Sequence, residues 1–200
     1  MDIGKGKSEL RKRFIMPRRA QSVTEALELI KPLVNVPITN DKLGITACIT
    51  GRSKKKMGSE KATRKSVSPE LHAMAVANID VLYKNAEFEI IHPDYKNNSW
   101  VKQVHRLGAL MFDEENMEYV PIVITVKEIL GSNQNTIYTI EAIDINKGLN
   151  SAGRSTLGSQ DGSLFVPITE FNTKMQQLLN DTLYNIGDFP EKVNTQNKKS

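Results

Sequence analysis

The sequence predicts an α+β fold, with an antiparallel sheet of about four strands, helices packed on one of its faces and a basic N-terminal arm. Three observations carry that reading. Apolar residues recur at helical spacing up to Ala86, and from Glu87 onward they alternate with a period of two. Three long alternating runs follow one another, "VKQVHRLGALMFD", "EYVPIVITVKEIL" and "NTIYTIEAIDI". They are separated by "EENM" and "GSNQN", lengths that suit antiparallel neighbours.

In chain order, residues 1–20 read as a basic flexible arm and residues 21–189 as a single domain. The "GKGKS" of the arm lacks the preceding strand and first glycine of a phosphate-binding loop. A short helix over 22–31 follows, with Ser22 and Glu25 spaced as a capping box and Pro32 as its stop. "NVPITNDKLGITACIT" has the β-branched content of one or two short strands. A basic loop over 52–65 leads to Ser68-Pro69-Glu70, a hydroxyl cap, a first-turn proline and a first-turn acid. Leu71, Ala75, Ile79, Leu82 and Ala86 then share one helix face. "EFEIIH" is a short strand before the three long ones. A Gly/Ser/Asn-rich loop over 146–164 precedes a C-terminal helix over 169–186, whose apolar face comprises Phe171, Met175, Leu178, Leu179, Leu183 and Ile186. Residues 190–200 read as a disordered tail.

Composition narrows the function classes. The 200 residues are 39% hydrophobic and 25% charged, as in a soluble globular protein, and only 6% aromatic. One cysteine excludes an internal disulfide, and the charged N-terminus and short apolar runs give no signal peptide or membrane span. The expected location is cytoplasmic (in a host cell) or virion-associated. Net charge is +4, yet residues 1–20 carry +5 and residues 52–65 carry +6, which leaves the remainder acidic. Two basic patches on an acidic body favour a polyanion partner, RNA or DNA, although solvated tails and loops have the same composition. The loop cations are Arg52, Lys54, Lys55, Lys56, Lys61, Arg64 and Lys65.

The residue set implies no cofactor and no metal: the three histidines lack metal-ligand spacing, and the usual nucleotide-loop, zinc-protease and nucleophile-elbow motifs are missing. It is compatible with metal-free RNA cleavage, which needs a proton acceptor, a proton donor and cations at the phosphate. His72, one turn into the helix after the basic loop, is the best-placed histidine, and it is equally suited to a structural role at the helix–sheet boundary. Thr125 and Lys127 share a face of one strand with Arg106 on its neighbour, so they could hold a phosphate. Cross-strand ion pairing explains the same residues. His92 reads as a loop residue beside Pro93, and His105 as a weaker alternative to His72.

Residues 43–145 resemble a domain of phage and mobile-element polyvalent proteins. The matching elements are Lys56-Met57, Ser59, Lys61-Ala62, Lys65-Ser66, His72, Ala77-Asn78-Ile79-Asp80, Leu82, Ala86, the "TVKE" of Thr125–Glu128, Tyr138 and Ile140-Glu141. Such domains resemble the barnase/EndoU/colicin/RelE-like nuclease superfamily. That resemblance implies helices followed by a four-stranded antiparallel sheet with metal-independent RNA cleavage on one face. His72 would be the acid/base, Arg106 and Lys127 the phosphate partners, and Thr125 and Tyr138 the hydroxyl donors. It equally admits a non-catalytic module that binds nucleic acid, or a phage or host protein, in genome delivery or counter-defence, or as a virion accessory.

Overall fold

The computed structural model describes residues 14–131, 136–145 and 168–186. The arm before Phe14, the 146–164 loop and the 190–200 tail lie outside them.

Two short strands open the sheet, β1 (Pro37–Thr39) and β2 (Thr46–Cys48). Four longer ones complete it: β3 (Phe88–His92), β4 (Val101–Asp113), β5 (Glu118–Leu130) and β6 (Thr136–Ile145). The spatial order is β1-β2-β6-β5-β4-β3. The expected meander is the β3–β6 part, antiparallel throughout. The sheet is nevertheless six-stranded and mixed, because β2 lies parallel to β6 through the pair Cys48 and Thr139. A junction of one residue pair between segments 91 positions apart leaves no local pattern in the sequence.

Among the described residues, five α-helices precede or punctuate the strands: α1 (Val23–Leu29), α2 (Gly51–Met57), α3 (Glu60–Lys65), α4 (Pro69–Ala77) and α5 (Ile79–Lys84). The expected basic loop is thus two helices. Thr50 and Ser53 form a reciprocal capping box on α2, and the Ser59 hydroxyl caps α3 by accepting from the Ala62 N–H. Ser68 caps α4, accepting from the Leu71 N–H, with Pro69 at the first position as expected. The single helix expected over 69–86 breaks at Asn78. Its side-chain N–H group donates to the Met74 and Arg18 carbonyls, and its Oδ1 accepts from the Arg18 N–H. The segment from Phe14 is therefore docked rather than an arm: Phe14, Met16 and Ala20 are buried and Arg18 pairs with Asp80.

One face of the sheet carries Leu107, Ala109, Met111, Ile122, Ile124, Ile140 and Ile143, packed against Ala26, Val76, Ile79, Leu82 and Tyr83 of the N-terminal helices. The opposite face was expected to stay uncovered. Half of it is covered by α6 (Ile168–Ile186), whose Phe171, Met175 and Leu179 pack on Ile90, Leu110, Phe112, Tyr119 and Val123. Helices therefore lie on both faces. Gly108 makes room for this second core: a Cβ there would overlap the Phe88 ring, which packs at a tilt of 55° on Phe171 with centroids 5.1 Å apart. Among the described residues, no helix is long and apolar enough to cross a membrane.

Candidate active site

Strand register decides which candidate residues can meet. Residues paired across neighbouring strands point to the same face, and alternate residues along a strand share it. On the α6 face the row His92–Val104–Lys127–Thr139 crosses four strands. Beside it runs Ile90–Arg106–Thr125–Ala142, and beyond that Phe88–Gly108–Val123–Asp144. The last row belongs to the apolar half under α6. Arg106, Thr125 and Lys127 therefore converge at the polar half, as their spacing suggested, with His92 beside them.

The geometry is that of a bonded polar cluster. Arg106 Nη1 donates to the Thr125 hydroxyl and lies 3.7 Å from an Asp144 carboxylate oxygen. Burial lowers the Arg106 pKa from the usual guanidinium range, and Asp144 and Tyr95 oppose that effect. Lys127 Nζ lies 3.3 Å from Asp94 Oδ1 with only 13% of its side chain exposed. Burial works to raise the Asp94 pKa, but hydrogen bonds from Asn98 and the charge of Lys127 outweigh it. The carboxyl titrates below its ordinary value. The two acids offset the two cations, so these four groups carry no net charge together.

The 93–100 segment between β3 and β4 closes one side of the cluster. Asp94 Oδ2 accepts from the Asn98 N–H at 3.2 Å, and the Asn97 N–H donates to the Asp94 carbonyl at 2.9 Å. This turn seats Tyr95 against His92, rings stacked with centroids 5.0 Å apart, and brings the Trp100 ring to 5.4 Å from Lys127 Nζ. His92 is 7% exposed. Its Nδ1 lies 2.8 Å from the Pro93 carbonyl, an acceptor, so Nδ1 carries the proton and the unpartnered Nε2 is the basic nitrogen. Burial lowers the His92 pKa, and the charge of Arg106 adds to that.

His72 is not part of this cluster. It is fully buried in the helical layer on the other face, where Nε2 donates to the Met57 carbonyl at 2.9 Å and Nδ1 accepts from the Ser66 hydroxyl at 2.7 Å. Both ring nitrogens are thus engaged in tying α4 to the ends of α2 and α3. Tyr138 also lies on that other face. It packs edge-on to His105, which is bracketed by Glu89 at 2.6 Å and Glu128 at 3.5 Å. Burial, reinforced by the two glutamates, raises the Tyr138 pKa.

His92 is the member that sequence spacing missed. A histidine before a proline resembles a loop residue. Only the pairing of His92 with Val104, two residues from Arg106, reveals its place. The basic residues of α2 and α3 form a separate surface. Arg52, Lys55, Lys61 and Lys65 are exposed and Lys54 half-buried, while Lys56 pairs with Glu141 at 3.5 Å and Arg64 with Glu60. Among the described residues, no group of three or more His, Cys, Asp or Glu side chains is arranged to hold a metal ion.

A family model described as large polyvalent protein-associated domain 3 matches residues 18–138, more than half of the chain. The match starts earlier than the resemblance over 43–145 and takes in the docked segment at Arg18, α1 and both short strands. No curated protein and no solved structure matches the chain.

Proposed function

The chain belongs to the large polyvalent protein-associated domain 3 family, and from that premise we propose that it acts on RNA as a metal-independent endoribonuclease of phage or mobile-element origin. The observation that carries this reading is the convergence of Arg106, Thr125 and Lys127 with His92 on the polar half of one sheet face. A helix pair followed by a four-strand antiparallel meander also suits the nuclease superfamily that the sequence resembles.

Each residue has a role in this scheme. Nε2 of His92 is buried in the free protein, and it takes the proton of a ribose 2′-hydroxyl, as that oxygen attacks phosphorus, once the 93–100 segment that carries Tyr95 opens to the substrate. The bond from phosphorus to the 5′-oxygen breaks, and that oxygen leaves with a proton drawn from water, giving a 2′,3′-cyclic phosphate and a 5′-hydroxyl. Arg106 has further N–H donors besides Nη1, and together with Lys127 these steady the non-bridging oxygens as charge develops. Thr125 holds the guanidinium in place. The scheme is tested by incubating RNA with the protein in EDTA and comparing His92→Ala and Arg106→Ala. Cleavage lost in both variants supports it, and wild-type protein that leaves RNA intact sinks it.

The exposed cations of α2 and α3 favour a second reading, a non-catalytic module that holds RNA or DNA through its phosphates. It requires salt-sensitive binding without turnover, weakened when Lys54, Lys55 and Lys56 are changed together to Gln. Binding indifferent to salt and to those lysines contradicts it.

A further inference from the structure

We infer that Trp100 is a nucleobase-stacking platform beside the phosphate cluster, and that the substrate is therefore single-stranded. The inference rests on the reading of that cluster as an RNA site. Trp100 is the only tryptophan of the chain, and it is 43% exposed, although large aromatic side chains are ordinarily mostly buried. Its place is fixed by the backbone: the Leu130 N–H donates to the Trp100 carbonyl at 3.0 Å, which ties the end of the 93–100 segment to the end of β5.

What the ring adjoins points to the ligand. Lys127 Nζ stands 5.4 Å from its centroid, and the same ammonium is held by Asp94, so the ring is anchored next to a phosphate-facing cation. Exposed Ile137 on β6 pairs with Ile129 on β5, extending the apolar surface at that end of the sheet. An exposed aromatic ring with a cation at one side is the combination that binds a nucleotide: the base stacks and the phosphate is paired. A base can reach it only when unstacked from its own strand, which a duplex does not allow.

The sole tryptophan reports its own occupancy. Protein carrying His92→Ala, to prevent turnover, is titrated with oligouridylate, with a blunt RNA duplex of equal length and with inorganic phosphate. Tryptophan fluorescence is followed, and anisotropy of labelled RNA is read in parallel. Expected are quenching by the single strand but not by the duplex or phosphate, and affinity about tenfold weaker in Trp100→Ala but largely kept in Trp100→Phe. RNA binding that depends on Arg106 yet neither quenches Trp100 nor weakens in Trp100→Ala overturns the platform and leaves the phosphate cluster standing. Equal quenching by duplex overturns the single-strand preference. An absence of RNA binding in anisotropy overturns both the platform and the cluster reading.

Discussion

Arg106 and Thr125 stand directly opposite each other on β4 and β5, and the guanidinium donates to the threonine hydroxyl across the strand pair. This contact aims a largely buried cation along the sheet face instead of toward solvent. Thr125→Val keeps the shape and removes the acceptor. Stability should fall by about 1.5–3 kcal/mol, the usual range for a hydrogen bond to a charged group, and RNA affinity should fall with it. Urea unfolding and labelled-RNA anisotropy measure the two effects. Full stability and affinity in the variant would remove Thr125 from the site.

His72 should matter to folding and not to chemistry. Replacing it by Ala strands the Met57 carbonyl and leaves the Ser66 hydroxyl only its longer contact with the Ala62 carbonyl. The expected loss is about 3 kcal/mol by urea unfolding, with cleavage per folded molecule unchanged. Undiminished stability combined with lost cleavage would restore His72 as an acid/base.

The depressed pKa of His92 makes stability depend on pH. Burial disfavours its cation in the fold, so the unfolded chain binds the extra proton first as pH falls. Between the ordinary histidine value of about 6.5 and the lower folded value, stability should therefore decrease as pH decreases. Below the folded value, this contribution has no further slope. His92→Asn should flatten that segment of a plot of urea midpoint against pH. A plot with unchanged slope would assign the dependence to other groups.

Gly108 should resist substitution because the Phe88 ring occupies the space above it. Gly108→Ala should cost about 1–3 kcal/mol through overpacking and loosen α6 by shifting the Phe88–Phe171 contact. Coupling is the check. Gly108→Ala combined with Phe88→Leu should cost less than the sum of the single changes, and strict additivity would contradict the contact.

The meander was legible because period-two alternation records burial directly: β4 and β5 occupy the same residues as their sequence runs. Ser68 and Pro69 marked the start of α4 for a similarly local reason, the capping of unpaired N–H groups. Joining β2 to β6 depends on one distant pair and has no such record. That α6 packs on the sheet followed from its apolar face, but which face it covers was hidden because Leu110, Phe112, Tyr119 and Val123 share theirs with Arg106, Thr125 and Lys127. A face apolar at one end and polar at the other averages to a mixed pattern. At the site, alternation along β5 brought Thr125 and Lys127 together, whereas His92 required the β3–β4 register.

The most direct test of the central claim is RNA cleavage in EDTA by wild-type protein, His92→Ala, Arg106→Ala and Tyr138→Phe, all matched for folded fraction. Tyr138 lies on the opposite face and serves as the control. Cleavage to cyclic-phosphate ends by wild type and Tyr138→Phe, reduced at least about 100-fold in the other two as for loss of an acid/base or a charge-stabilising group, is the predicted result. Undiminished cleavage in His92→Ala and Arg106→Ala, or none by wild type, would contradict it.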